Sequence, residues 1–465
     1  MQHSDIISLN HYFFIGVAGA GMSAIAQYLA GKGKTVKGSD RLFQSSDNDG
    51  IKTKLESENI QCFLQDGSGI DASTQAVIIS TAIEDTNIEI QKAKELHIPI
   101  VLRADLLAAI CDSKRTIAIA GTSGKSTVTA MLFHILQESG MQPSLISGAG
   151  LCSLQKQGKI GNSFVGKSDW LLIEADESDG TLVKYQPEIG VLLSIDKDHK
   201  ELDELHQIFS TFKQNTKSHF VVNQSHPLAK SYSVDKKSDY GTDTPFDAVS
   251  FKQVGFSISF NVKSVLGKDV QFTIPTIGQH NMENALACIA VCSLMNVSIE
   301  QCAYALKSYE GIYRRHQLVG VFNGITLIDD YAHNPAKIAA SLKACQAVGN
   351  KLVAWFQPHG YGPTRFIRKE LVQEIAATLR PTDEIWMSEI YYAGGSAVKD
   401  ISARHLIQDL KALGLNAFFV EDRVELFNQL VQKLNGGEVL LMMGARDPSL
   451  EYFASDVAAL LQNLK

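Results

Sequence analysis

Two rhythms of apolar and polar positions alternate along this chain. Short unbroken apolar runs read as strands buried on both faces: HYFFIGV (11–17), RTIAIAG (115–121), WLLIEAD (170–176), IGVLLSID (189–196) and KLVAWFQP (351–358). Between such runs lie longer stretches with apolar residues every three or four positions. MSAIAQYLAGKG (22–33), TVTAMLFHILQESG (127–140) and HNMENALACIAVCSLM (280–295) read as helices on that spacing. Strands alternating with helices predict parallel sheets covered on both faces. One segment breaks the rule. SFKQVGFSISFNV (250–262) and DVQFTIPT (269–276) alternate apolar with polar, as half-buried antiparallel strands do.

The pattern groups into three blocks. Residues 1–112 hold HYFFIGV, TVKGSD, QAVIISTAI and IPIVL as strands. Residues 113–312 hold the next strand–helix series and the alternating segment. Residues 313–465 hold ITLIDDYA, KLVAWFQP, EIWMSEI, NAFFVE and EVLLMMGA, a further doubly wound pattern. KKSDYGTDTPFD (236–247) is the most loop-like polar stretch, and no internal repeat is present.

Composition narrows the class. A chain of 465 residues suggests two to four domains. Its 45% hydrophobic and 20% charged residues are ordinary for a globular enzyme. No apolar run approaches the roughly 18 residues of a membrane span, and MQHSDIISLN lacks the marks of a signal peptide. Fifty acids against 43 bases leave a net charge of -7, so a dedicated nucleic-acid binder is not expected. The seven cysteines include no C-x-x-C pair, which argues against a disulfide framework or a zinc site and fits the cytoplasm.

The sharpest chemical signal is Gly121-Thr122-Ser123-Gly124-Lys125-Ser126-Thr127, between a strand and a helix. Phosphate needs inward backbone N–H groups at a helix N-terminus, with glycines that allow close approach. Lys125 would reach the terminal phosphates and Ser126 would offer its hydroxyl to Mg2+. Ile119 stands where the full G-x-x-x-x-G-K-[ST] pattern has its first glycine, so the loop is a shorter variant. EADESD (174–179) ends a strand, where carboxylates face a ligand crevice and suit Mg2+. Without the neighbouring loop it would read as a solvated acidic turn. His199, in IDKDH (195–199), is open to three readings: a second metal, a partner for a carboxylate, or a helix cap.

Gly16, Gly19 and Gly21 follow the first strand as G-x-x-G-x-G, displaced from the dinucleotide fingerprint G-x-G-x-x-G. Asp40 ends the second strand, where that fingerprint has its ribose-binding acid. The loop suits a pyrophosphate better than it argues for a nicotinamide. Two phosphate loops on two α/β blocks suggest transfer or ligation.

These residues resemble the ATP-dependent Mur ligases of peptidoglycan synthesis, and the similarity runs along nearly the whole chain. GVAGAGMSAIAQYL with GSD, VIISTAI, IPIVLRADLLA, GTSGKST, EADESD with QPEIGVLLSIDKDH, GQHNMENALACIAV, GIYRRHQ and DDYAHNP occur in the family's order. The resemblance is strongest to the members that add L-alanine to UDP-N-acetylmuramate through an acyl phosphate. It implies an α/β chain of three domains. A Rossmann-like domain (1–112) would bind the UDP-sugar. A central P-loop ATPase-type domain with a small antiparallel sheet (113–312) would bind ATP. A Rossmann-like C-terminal domain (313–465) would bind the amino acid or short peptide.

The resemblance also implies roles. Gly16, Ala18, Gly19, Ala20, Gly21, Met22, Ser23, Ser39, Asp40, Ser80 and Thr81 would serve the UDP-sugar. Residues 121–127, Asn281, Asn284, Arg315, Asp330 and Tyr331 would serve ATP. Ser126, Glu174 and His199 would hold metal, and Lys125, Glu174, His199 and Arg315 would be catalytic. His333 and Arg365 would lie toward the acceptor. Gly360 and Pro363 stand where alanine-adding members carry arginines, and Asn334 replaces a second histidine. The acceptor therefore stays open between L-alanine and the tripeptide of a murein-recycling ligase. An oxidoreductase and a non-catalytic nucleotide-binding protein are the competing classes. Retained Lys125, Glu174 and His199 weigh against the latter.

Overall fold

The first strand, β1 (His11–Ile15), shows why an unbroken apolar run is needed: its alternate side chains enter two different cores. Tyr12 and Phe14 join one cluster, Phe13 and Ile15 another. The computed structural model describes residues 3–44, 49–178, 180–196, 201–263, 268–392, 398–447 and 449–464. β1 lies centrally in a parallel sheet with β2 (Thr35–Ser39), β3 (Ile60–Phe63), β4 (Ala76–Ile79) and β5 (Ile100–Leu102), in the order β3-β2-β1-β4-β5. The order reverses between β1 and β4, and in open α/β sheets ligands bind beyond the carboxyl ends at such a reversal. Gly16 leaves β1 there, and Ser80 and Thr81 leave β4.

The second sheet has β6 (Arg115–Ala120), β7 (Ser144–Ile146), β8 (Ser163–Phe164), β9 (Trp170–Glu174), β10 (Ile189–Leu192) and β11 (His219–Val222), in the order β11-β10-β6-β9-β7-β8. Only the short β7–β8 pairing is antiparallel. Residues 120–124 and 174–177 leave neighbouring strands, β6 and β9, at the same end. The helices of both blocks share one core with these sheets, in which Met22, Ile25 and Leu29 join Ile146, Leu171 and Ile173.

The alternating segment forms β12 (Ala248–Val254), β13 (Ser257–Lys263) and β14 (Asp269–Ile274) in that order. Two and five residues separate these strands, too few for a parallel crossover, so the sheet is antiparallel as its pattern predicts. The chain divides into two compact units. One holds 1–250, 260–273 and 282–312; the other holds 251–259, 274–281 and 313–465.

The second unit is built on β15 (Gln317–Phe322), β16 (Ile325–Asp330), β17 (Lys351–Gln357), β18 (Glu384–Met387), β19 (Ala417–Phe419) and β20 (Glu438–Gly444), in the order β15-β16-β20-β17-β18-β19. All neighbours are parallel except β15 with β16. On β17, Leu352, Ala354 and Phe356 pack in one core, while Val353 and Trp355 pack in the other with Phe427 and Phe453. Each buried Leu, Val or Phe among these contributes about 1.5–3 kcal/mol. All seven cysteines are unpaired, and all but Cys62 are buried. Among the described residues no helix is long and apolar enough to cross a membrane.

Candidate functional site

At the carboxyl end of β6 the backbone turns through Gly121 at φ 136° and Gly124 at φ 86°, then enters the helix Lys125–Glu138. A side chain at either glycine would also collide. A Cβ on Gly121 would meet the Ser194 nitrogen at 2.9 Å, and one on Gly124 would meet Asn284 Oδ1 at 2.7 Å. Thr122 and Ser123 are fixed from the segment that follows β10: Thr122 Oγ1 lies 3.0 Å from Ser194 Oγ, which accepts from the Ser123 N–H at 3.0 Å. Asp196 accepts from Thr122 Oγ1 at 3.1 Å. Thr127 continues the first helical turn, half-buried.

Lys125 is held by its own loop and by the acidic segment beside it. Its ammonium donates to the Gly121 carbonyl and to Glu177 Oε2, each at 2.7 Å, and lies 3.6 Å from Asp176. Burial works against the ammonium, but Glu177, Asp176 and Glu174 together raise its pKa above the ordinary lysine value. Glu177 feels the converse: burial outweighs its share of the lysine, and its carboxyl lies above the usual range. One cation divided among three carboxylates neutralises none of them fully. Glu177 stood in the quoted motif without a role, and only the folded geometry gives it one.

Glu174, at the end of β9, collects three donors. Ser126 Oγ reaches its Oε1 at 2.8 Å, while the Gly148 N–H (2.9 Å) and Ser147 Oγ (3.3 Å) reach its Oε2. A hydroxyl and a carboxylate beside a phosphate loop are the hard oxygen donors that Mg2+ takes, with phosphate and water completing the shell. Among the described residues no three His, Cys, Asp or Glu side chains cluster as a metal site. His199 lies outside the described residues.

The first glycine loop is braced by its neighbour strand. Gly16 and Val17 donate to the Ser39 carbonyl at 2.8 and 2.9 Å, and Ala18 donates to Asp40 Oδ2 at 3.0 Å. Asp40 Oδ1 accepts from Leu42, so both its oxygens shape the loop. Gly19 caps the helix Ala20–Gly31 without a side chain, as an anion-binding helix start requires. Met22, Ser23 and Ser39 are buried beneath the loop, with Ser39 donating to Glu89 at 2.5 Å. Burial pushes the Glu89 carboxyl up to about 7. Arg103, absent from the sequence assignments, packs against Gly21: a Cβ there would meet its Nη1 at 3.2 Å. It brings a cation to the first loop.

The remaining candidates fall into two groups. Asn284 lies against Gly124, whereas Asn281 donates within its own turn, to Thr276 and Ile277 at 3.0 and 2.8 Å. In the second unit, Arg314 is buried, donating to Asp329 (3.0 Å) and the Gly444 carbonyl (2.8 Å). Burial nevertheless carries Asp329 up to about 6 against the pull of Arg314. Exposed Arg315 lies over the Tyr331 ring at 5.6 Å. Asp330 accepts from the His316 N–H at 3.2 Å.

His333 stacks edgewise on Tyr331 at 5.6 Å and lies 5.8 Å from His359. Burial, aided by His333 and Arg446, lowers His359 to about 4, so its imidazole is neutral at neutral pH. Gly360, at φ 70°, starts the helix Tyr361–Thr378. Arg365 pairs with Asp400. Sequence reasoning also missed the aromatic pair Tyr361–Tyr392, 5.3 Å apart, with the Lys399 ammonium 5.9 and 5.1 Å from their rings.

Comparison with known proteins places these features. Residues 11–115 match the Mur ligase family catalytic domain, 119–292 the Mur ligase middle domain, and 314–446 the Mur ligase glutamate ligase domain. A UDP-N-acetylmuramate–L-alanine ligase of Geotalea uraniireducens is 33% identical over 447 residues, covering 93% of this chain and 94% of that one. The ligase of the same name from Rhizobium etli is 32% identical, covering 96% and 95%. Among solved structures, a UDP-N-acetylmuramate-alanine ligase of Thermotoga maritima has the same fold, with TM-score 0.79, 24% identity and coverage of 98% and 100%. A murein peptide ligase of Psychrobacter arcticus also shares it, with TM-score 0.66, 19% identity and coverage of 98% and 100%.

Proposed function

This chain belongs to the Mur ligase family, and from that premise we propose that it joins L-alanine to the carboxylate of UDP-N-acetylmuramate, with consumption of ATP, in peptidoglycan synthesis. One observation carries the reading: curated ligases of that name match it at 31–33% identity along 93% or more of its length. The cluster of Lys125, Ser126 and Glu174 supports it.

A carboxylate oxygen of the sugar nucleotide attacks the γ-phosphorus, the bond to the ADP oxygen breaks, and an acyl phosphate forms. The amine nitrogen then attacks the acyl carbon, inorganic phosphate leaves, and the nitrogen gives up a proton. The first step gathers negative charge, so it depends on aligned amides and cations. Lys125 exchanges Glu177 for the β- and γ-phosphates, and the amides of 122–126 cradle them. Ser126 and Glu174 would hold Mg2+, with His199 assigned to a second ion; a bound ion supplies charge neutralisation. Asn281, Asn284, Arg315, Asp330 and Tyr331 are assigned to the nucleotide, and His333 and Arg365 to the acceptor. Gly16, residues 18–23, Ser39, Asp40, Ser80 and Thr81 take the UDP-sugar. Functionally the chain divides at 112 and 312, and it works in the cytoplasm, where nucleotide precursors are made.

A phosphate-release assay with an amine panel tests the proposal. Release is expected only with UDP-N-acetylmuramate and L-alanine together, giving a product heavier by one alanine residue. If no amine stimulates release, the proposal fails. Gly360 and Pro363, which stand where alanine-adding members carry arginines, keep one second reading open, a peptide acceptor. Stimulation by the murein tripeptide instead of alanine would select it.

A further inference from the structure

We propose that Asn162 is a positioning residue that ties the first glycine loop to the nucleotide loop. It rests on the ligase reading above and adds a residue to which no role has been given. Asn162 precedes β8 and is 2% exposed. Its amide nitrogen donates to the Ala20 carbonyl at 2.8 Å and to Ser23 Oγ at 2.9 Å, in the first turn of the helix behind the first loop. Its amide oxygen accepts from Gln27, on the same helix, at 2.8 Å. Its backbone carbonyl accepts from the Ser147 N–H at 2.9 Å. Ser147 Oγ in turn donates to Glu174, which accepts from Ser126 at the start of the nucleotide-loop helix. One continuous hydrogen-bonded run therefore joins Ala20 to Ser126.

Its burial distinguishes this run from an ordinary surface contact. Ser23, Gln27, Ser147 and Asn162 are all at most 4% exposed. An apolar side chain could fill the same space without the desolvation cost, but it would leave the helix free to slide. Two ion pairs, Lys184–Asp105 and Lys159–Glu58, also cross between the first two blocks, yet they are partly solvated and tolerant of movement. Close packing reinforces the run: a Cβ on Gly31 would meet Val165, just past β8, at 2.7 Å. The attacking carboxylate depends on the first loop and the γ-phosphate on the second. A misplacement of about 1 Å between reacting groups can cost about 100-fold in rate.

Two measurements on the full-length protein test the role. In hydrogen exchange, ADP with Mg2+ is expected to slow the backbone amides of residues 17–24 in the wild type by about threefold or more. That effect should vanish in Asn162→Ala and shrink in Gln27→Met, which keeps the volume but removes the bond to Asn162 and the one to the Ser23 carbonyl within the same helix. This readout needs neither sugar nor amine, so it decides the proposal even if the assigned acceptor or sugar is wrong. Absence of protection in the wild type, or equal protection in the variants, overturns it. In steady-state kinetics, Asn162→Ala should lose about 100-fold in kcat and Gln27→Met about tenfold, with the KM values nearly unchanged. Loss confined to KM, or matching only the unfolded fraction, overturns it. If Asn162→Ala fails to fold, Gln27→Met alone decides.

Discussion

Replacing Lys125 by methionine removes the proposed phosphate ligand and, equally, the counter-ion of a carboxylate cluster. The lysine and Glu177 side chains are 12% and 6% exposed and lie 2.7 Å apart, so solvent screens them little. Breaking a buried pair from one side costs about 3–5 kcal/mol, because the partner charge stays behind. Lys125→Met should therefore destabilise the first unit by that amount near pH 7.5, besides abolishing turnover. The loss should depend on pH. The folded Glu177 carboxyl already lies above its ordinary 4.5, through burial, and loss of the ammonium raises it further. Between the unfolded and folded values the folded state then holds more protons, so stability grows as the pH falls through that interval. One proton changes stability by at most about 1.4 kcal/mol per pH unit. From pH 7.5 to 5.5 the variant should recover stability relative to the wild type, up to that ceiling. Adding Glu177→Gln should restore stability at pH 7.5 and flatten the dependence. Urea unfolding of the three proteins at both pH values measures this. A deficit that is equal at both pH values, or a double variant no more stable than Lys125→Met, would refute the reasoning.

Glu174→Gln should cut turnover by at least about 100-fold and raise the Mg2+ concentration for half-maximal rate; an unchanged Mg2+ requirement would count against the metal assignment. Asp40→Ala releases the Ala18 and Leu42 amides and should raise the KM for UDP-N-acetylmuramate about tenfold while leaving that for ATP unchanged, as steady-state kinetics can check. Arg314→Met strands Asp329, 4% exposed, and should cost about 3–5 kcal/mol in thermal or urea unfolding. Because burial already carries that carboxyl to about 6, the loss should be larger at pH 8 than at pH 5, where the stranded group is protonated.

Strands buried on both faces were legible because their apolar runs have no gaps: HYFFI, RTIAIA and KLVAWFQ each match an observed strand. Ile60–Phe63, Ser163–Phe164, His219–Val222 and Gln317–Phe322 were not read as strands, and each lies at a sheet edge. Edge strands need burial on fewer sides, so their patterns are mixed, as the half-buried Gln317–Phe322 illustrates. Ser144–Ile146 is too short to announce itself. The glycine turn between strand and helix at 121–124 was legible because its pattern is local in sequence. The partners that complete it were not, since Ser147, Glu177, Ser194 and Asn162 acquire meaning only through hydrogen bonds spanning tens of residues.

In the second unit, β20 stands between β16 and β17, and the helix that follows His359 begins only where β17 has ended. The exposed positions Gly362, Pro363 and Arg365 can thus accept substitution while Leu352, Ala354 and Phe356 keep their register in the core. On the proposed assignments, selection can rewrite the acceptor segment without retuning the residues that follow β6 and β9. For inhibitor design the same separation sets an opposing pair of aims. On the proposed assignments, compounds built against Lys125 and Glu174 would compete with the nucleotide, whereas compounds built against the segment after His359 would compete with the acceptor.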